Sequence, residues 1–349
     1  MKPYLLTITL LSLCCHIQGQ TIEGTIYDAK TREVLPNVVI YLHGTAIQTV
    51  SGSDGHFSLV TESKINTALV ISHVSYESLV IDHPFDHPEQ AFYLKEKVNI
   101  LPEAVVVSDR FSRAQKMTIF KEQFLGEGRG GKSCLILNEE DIFLSFDHQT
   151  NRLMGFARNP IIIENKYLAY IITFDLQSFT IQYTQNSLDN RYLNRFSIVG
   201  TYTLFDQSPN DRIIKNRRNE IYRYSRQFFW KNFIANTLKD AKFKIYNHGK
   251  QMEPSQYFIV TDSLTCNLVQ IKPGTDINLI SDKLTDSDLF GVITVSSGNR
   301  FLSEVIFHVD HFSLDPFGNI DLPGSVFFAG AMAQQRIGEV LPMDFSYAP

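Results

Sequence analysis

Short apolar runs, each closed by turn-forming residues, fill the chain from Thr21 to about Asn99. TIEGTIYD (residues 21–28) alternates apolar and polar positions, the period of a strand with one buried face. VLPNVVIYLHG (34–44), AIQTVSG (46–52), HFSLV (56–60), ALVISHV (68–74), ESLVID (77–82) and AFYLKE (91–96) continue the theme. SGSDG (51–55) supplies Asp and Gly, which accept the backbone angles of a tight hairpin. Seven short strands with turns at roughly ten-residue spacing predict an antiparallel β-sandwich over residues 20–99.

Residues 100–118 read as a linker, and residues 119–349 as a β-rich α+β domain. IFLSFD, PIIIEN, YLAYIITFDL, FTIQYT and RFSIVGTYTLF lead it, and FKIY, QYFIV, LVQIK, GVITVS and FLSEVIFHVD follow. Between them the period changes. From Arg212 to Leu238, Ile214, Ile221, Tyr224, Phe228, Phe233 or Ile234 and Leu238 recur at helical spacing among Arg, Asn and Lys. That spacing predicts one main amphipathic helix lying on a sheet, so the fold class is mainly β with one main helix. The ending, GSVFFAGAMAQQRIGEVLPMDF, reads as a strand and a short helical turn closed by Pro342.

The N-terminus is of another kind. Lys2 precedes an apolar run from Tyr4 to Cys15, and Ile17 and Gly19 suit a cleavage site before Gln20. Residues 1–19 therefore read as a secretory signal peptide. A lipid anchor at Cys14 or Cys15 is the weaker reading, because Leu13 is bulky where such signals carry a small residue. No later run reaches the ~18 apolar residues of a spanning helix, so no transmembrane span is expected after signal removal. The expected location is the periplasm or outer membrane, or secretion. Outside the signal remain Cys134 and Cys266, which could pair in an oxidising compartment or stay as small buried apolar residues.

Composition adds limits. The chain is 44% hydrophobic and 20% charged, and 26 Phe and 15 Tyr favour strands. A net charge of −5 with interspersed signs leaves no footprint for nucleic acid.

Two resemblances follow from the motifs. I-x-G-T-I-x-D-x-x-T-x-x-x-L-P-N-V-x-I-Y-L-x-G-T, then S-D-G-x-F-S-L and L-V-I-S-H-V-S-Y, resemble the carboxypeptidase-regulatory-like domain. This is a transthyretin-like sandwich common at the N-termini of exported proteins of Bacteroidetes type. The resemblance implies an accessory module and no peptidase activity. LPEAVVV is similar to the strand that precedes the plug of TonB-dependent receptors, but their barrel of about 22 strands needs several hundred residues more. F-K-E-Q-F-L-G-E-x-R-x-x-K-x-C-x-I-L-N, P-I-I-I-E-N-K-Y-L and R-I-G-E-V-L-P-M-D-F resemble the second domain of a large Bacteroidetes group without an established activity. The helix of that group usually reads R-x-x-A-Y-x-G-S-x-x-H-F. Arg218, Ile221, Tyr222 and Ser225 fit it here, whereas Tyr224 replaces the Gly and Phe228 the His.

Candidate chemistry is sparse. GEGRGGKS (126–133) matches the phosphate-loop pattern through Gly126, Gly131, Lys132 and Ser133. That motif needs a strand before it and a helix after it, and the pattern here predicts helix, loop, strand. It reads as a false match within a Gly-rich surface loop. None of the ten His has a Glu three residues on, and no HExxH or GxSxG occurs. His83 with His87, and His308 with Asp310 and His311, are the remaining histidine groups. No cofactor and no metal are expected. Arg212, Lys215, Arg217, Arg218, Arg223 and Arg226 make the helix basic. A solvated face is expected, with Arg217, Arg218, Tyr222 and Arg226 as the candidate binding surface. The favoured function is non-catalytic binding or scaffolding in the cell envelope, with an envelope protein or glycan as partner. The alternative is a peptidase-like hydrolase with a dispersed site in the C-terminal domain.

Overall fold

A computed structural model of the chain describes residues 20–86, 90–97, 110–263, 266–275, 277, 290–298, 301–321 and 324–347. The expected signal peptide, Cys14, Cys15 and His87 lie outside these residues, as does most of the expected linker.

The first unit is the expected sandwich. β1 (Gln20–Asp28), β2 (Val39–Leu42), β3 (Gln48–Val50), β4 (His56–Thr61), β5 (Leu69–Ser72), β6 (Leu79–Ile81) and β7 (Ala91–Leu94) form two sheets, β4-β1-β7 and β3-β2-β5-β6. Burial alternates along β1, where Ile22, Gly24, Ile26 and Asp28 face inward, and along β4, where Phe57, Leu59 and Thr61 do. One pair departs from the antiparallel expectation: β1 and β7 run parallel, Ile26 beside Phe92. Gly55 at φ +73° makes the hairpin before β4, where a side chain would strike the Ile26 carbonyl. The runs VIYL and LVIS do not alternate. Ile40 and Ile71 face the sandwich core, yet their neighbours Tyr41 and Val70, paired across the strands on the other face, are buried too. A sheet buried on both faces needs a second cover, and the next unit supplies it.

That unit begins with α1 (Arg113–Leu125), which starts inside the segment read as linker. Ser112 and Gln115 form a reciprocal capping box at its start. α2 (Arg129–Lys132), β8 (Cys134–Ile136), β9 (Ile142–Asp147), β10 (Arg152–Ala157), β11 (Ile161–Asn165), β12 (Tyr170–Tyr183) and β13 (Leu193–Asp206) follow. The long β12 pairs with β13 along one edge. Its other edge is shared, the first half with β11 and the second with β10. Met117, Phe120 and Phe124 of α1 pack onto this sheet against Phe174 and Phe179.

The predicted single helix is two. α3 (Arg212–Tyr222) and α4 (Arg226–Ile234) are separated at Ser225, whose hydroxyl accepts the Phe228 N–H as the N-cap of α4. The break lets each half face a different core. Ile214, Arg218 and Tyr222, four residues apart, are buried on α3, and Tyr222 joins the core of the β12 sheet. Phe229, Trp230 and Phe233 of α4 belong to another core. A continuous helix would hold both apolar stripes on one rigid axis.

The second core lies between two sheets. β14 (Phe243–Asn247), β15 (Lys250–Met252), α5 (Pro254–Tyr257), β16 (Phe258–Asp262), β17 (Asn267–Ile271), β18 (Gly291–Ser297), β19 (Phe301–Phe307), β20 (His311–Leu314) and β21 (Val326–Gly330) build β15-β14-β18-β19-β21 and β16-β17-β20. Trp230 stands among Phe233, Phe307 and Phe312 in edge-on contacts.

The C-terminal segment ties the units together. Met332 packs in the α4 core, Ile337 and Leu341 in the β12 core, and Met343 against the sandwich core.

Candidate functional site

The predicted basic surface comes apart in three dimensions. Arg218 is buried, and its guanidinium forms a two-pronged pair with Asp206 at 2.6 and 2.7 Å while donating to the Leu168 and Ala169 carbonyls. It also lies 4.0 Å over the Tyr170 ring. Burial pushes the Asp206 carboxyl upward, but hydrogen bonds from Arg218 and the Ser208 amide outweigh it and leave the pKa lowered. Arg218 thus spends its guanidinium on structure and is not on a solvated face. Tyr222 is buried at 1% exposure, and its hydroxyl is pushed up to about 12 by burial and by the Asp315 charge. Arg217 covers Tyr167, at 4.8 Å from the ring, and donates to its carbonyl. Of the four predicted residues, Arg226 keeps an exposed charge without a carboxylate partner among the described residues.

GEGRGGKS has the expected helix–loop–strand order, α1 to α2 to β8. It is not a free surface loop. Gly130 and Gly131 are buried, and a side chain at Gly130 would run into the Gly338 carbonyl. A side chain at Gly338 would meet Gly131 in return. Gly126 bends out of α1 at φ +90°, where Arg336 packs over it. The glycines therefore admit the RIGEV segment to backbone contact. The Ser133 hydroxyl donates to the Arg129 carbonyl, and Lys132 is exposed.

Cys134 and Cys266 are both free thiols, so the possible disulfide does not form. Cys134 sits in β8 with its thiol on the Gly130 carbonyl, and burial pushes it up to about 12. A thiol so buried carries little thiolate and is a poor nucleophile. His311 pairs with its neighbour Asp310, and His308 packs edge-on against Phe327. Among the described residues no group of three or more His, Cys, Asp or Glu could hold a metal.

The seam between sandwich and β13 is built from residues that sequence reasoning passed over. The turn after β2 lies along the β13 edge: Gly44 N–H donates to the Tyr202 carbonyl and Leu204 N–H to the Thr45 carbonyl. The Tyr202 N–H donates to His43 Nδ1 at 3.1 Å, which leaves the proton of the neutral ring on Nε2. Burial lowers His43 to about 4, keeping it neutral at ordinary pH. Tyr41 and Thr201 share a 3.0 Å hydroxyl contact, and Ser78 donates to Asp175 at 2.6 Å. Met343 N–H closes the other side onto the Gly44 carbonyl. Asp315 accepts from Asn66 of the sandwich and from Asn319, which donates also to the Met343 carbonyl.

A groove of about 640 Å³ lies beside Tyr224, the β14–β15 hairpin and the end of β18. Exposed Lys239, Lys242 and Lys244 line it with Tyr224, Met252 and Glu253. β14 alternates, so Phe243 and Ile245 fill the core while Lys244 turns outward. Lys242 sits in the left-handed region at φ +63°, a conformation that costs about 1–3 kcal/mol away from glycine. It is held by its carbonyl accepting from Gly298 and its N–H donating to Lys239. Among the described residues no carboxylate pairs with these lysines. The signal in the sequence is LKDAKFK, three lysines within six residues, next to a longer and more basic helix-periodic stretch.

Residues 22–107 match the family model of the CarboxypepD_reg-like domain. The chain therefore contains such a domain at its N-terminus, and the sandwich above is that domain. No curated protein matches the chain.

Proposed function

We propose that this chain, opening on a CarboxypepD_reg-like sandwich, is a non-catalytic binding and scaffolding protein of the cell envelope, exported by its first nineteen residues. One observation carries the reading: the lysine-lined groove beside the exposed Tyr224, a built concavity with an excess of positive charge. Its chemistry suits an acidic glycan, with ammonium groups meeting carboxylates and the Tyr224 face meeting a sugar ring. The sandwich serves as scaffold rather than as a tethered module, because its β2 turn is hydrogen-bonded between β13 and the C-terminal segment.

The test is retention of the mature protein on immobilised acidic and neutral polysaccharides, with Lys242→Glu and Lys244→Glu introduced together. Retention on the acidic matrix should fall sharply in the double variant and on raising salt. Equal retention of both proteins would sink the groove reading. Fractionation of expressing cells, with the mature protein in the cytoplasm, would sink the envelope reading.

A further inference from the structure

The lysines of the groove stand on unlike backbone. Lys244 is in β14, at an outward position that a side chain occupies without strain. Lys242 stands in the turn that leads into that strand, at φ +63°. Two nested backbone bonds shape the turn: the Lys242 N–H donates to the Lys239 carbonyl, and the Phe243 N–H reaches back to the Leu238 carbonyl. That pair of bonds ends a helical turn on one left-handed residue, usually glycine and sometimes asparagine. The end of α4, just before, is built in the same way. There the Asn236 N–H donates to the Phe233 carbonyl and the Thr237 N–H to the Asn232 carbonyl. The left-handed residue is Asn236, at φ +54°.

A third left-handed residue meets the turn. Gly298, also at φ +63°, donates its N–H to the Lys242 carbonyl and lines the groove with it. Asparagine and glycine, which accept this conformation readily, thus hold two of the three positions. Lysine holds the one whose side chain stands with Lys239, Lys244 and Tyr224 around the groove. Neither packing nor an ion pair accounts for it: the side chain is exposed, and among the described residues no carboxylate pairs with it. The core contacts at this point come from Phe243 and Ile245 instead. Strain kept where glycine would serve the fold better points to a task for the side chain.

We propose that Lys242 is the specificity-determining residue of the groove: it grips an acidic group of the ligand, and its left-handed turn is kept for that purpose at a cost in stability. Resting on the groove reading above, this assignment sharpens the ligand class. An ammonium is a compact point charge that meets a carboxylate or a sulfate ester without the planar fork of an arginine. Lys239, Lys242 and Lys244 in one concavity call for more than one acidic group. The volume of about 640 Å³ falls within the roughly 300–1,000 Å³ of ligand pockets, far more than a single inorganic anion fills. The occupant is therefore a short stretch of acidic polysaccharide carrying more than one charged sugar.

The experiment uses the mature full chain, with calorimetric titration at fixed ionic strength and thermal melting without ligand. Polygalacturonate, dextran sulfate and neutral dextran are the probes, and the two polyanions separate carboxylate from sulfate ligands. The parent should bind at least one polyanion and leave dextran unbound. Lys242→Gly should weaken that binding about tenfold, the scale of one charge-assisted contact. The same variant should melt about 1–3 °C above the parent, because glycine removes the strain. Lys242→Arg keeps both charge and strain, so it should bind within about threefold of the parent and melt with it. Lys244→Ala should weaken binding with no rise in melting temperature. Binding unchanged in Lys242→Gly but weakened in Lys244→Ala would leave the groove as the site and overturn the role of Lys242. A Lys242→Gly protein that melts at or below the parent temperature would show no cost at that position and overturn it as well. No polyanion bound by the parent, or binding undiminished in both variants, sinks the groove reading and this assignment with it.

Discussion

α3 and α4 come from one basic, helix-periodic stretch, yet their arginines have opposite fates. Arg218 of α3 is buried with Asp206, four carbonyl and carboxylate acceptors and a Tyr170 face around it. Arg226 of α4 is exposed, with Phe328 below it and no carboxylate partner among the described residues. Charge on a helix thus says nothing of its role until the partners are known. A guanidinium whose donors are all taken is a strut, and one with free donors is available for a ligand.

The largest expected effect tests the strut. Arg218→Ala should destabilise the protein by about 3–5 kcal/mol in urea unfolding, because it strands Asp206 in a half-buried place and uncaps the Leu168 carbonyl. A loss below about 1 kcal/mol, the size of a surface pair, would erase the contrast with Arg226.

Acid should act next, through the seam that both helices adjoin. Burial holds folded His43 at about 4, below its ordinary 6.5. The depressed value means that its contribution is complete above pH 6.5 and is lost as pH falls toward 4, where unfolded chains take up the proton first. Up to about 3 kcal/mol goes over that window. Asp206, lowered below the ordinary carboxylate range, adds its loss only at lower pH. Melting from pH 7 to 4 should show the decline, and His43→Gln should flatten it. An unchanged profile in that variant would remove His43 from the account.

Gly130→Ala separates backbone contact from nucleotide mimicry. The added methyl meets the Gly338 carbonyl, so about 1–3 kcal/mol of stability should go. Lys132→Ala, at an exposed position of the same loop, should change stability by less than about 0.5 kcal/mol. Similar losses in the two variants would mean that the loop does not pack as described. The smallest effect belongs to Arg226→Gln, at an exposed position without a carboxylate partner among the described residues, which should change stability by less than about 0.5 kcal/mol in the same urea unfolding.

Much of the fold was legible because strand alternation reports one-sided burial directly. Phe57 and Leu59 face inward as the HFSLV pattern requires, and TIEGTIYD forms β1. The parallel β1–β7 pair was not legible, since strand direction depends on which strands become neighbours. The α3–α4 break was signalled by Ser225, a good N-cap, but residues helical on both sides hid it. The site was less legible than the fold. Arg218 lies fifty residues from Leu168, whose carbonyl it binds, and no local pattern joins them.

GEGRGGKS shows the same division. Its glycines announced a loop, and the apolar pattern around it set helix before strand. That the glycines are needed for contact with Gly338, more than two hundred residues later, only the folded backbone decides. The sequence alone determined the β-rich class, the N-terminal sandwich and the rough strand positions, because one-sided burial writes its period into neighbouring residues. The tertiary structure decided which arginine is strut and which is free, how the sandwich docks on β13, and where charge collects. Those outcomes depend on partners distant in the chain, and local periodicity carries no record of them.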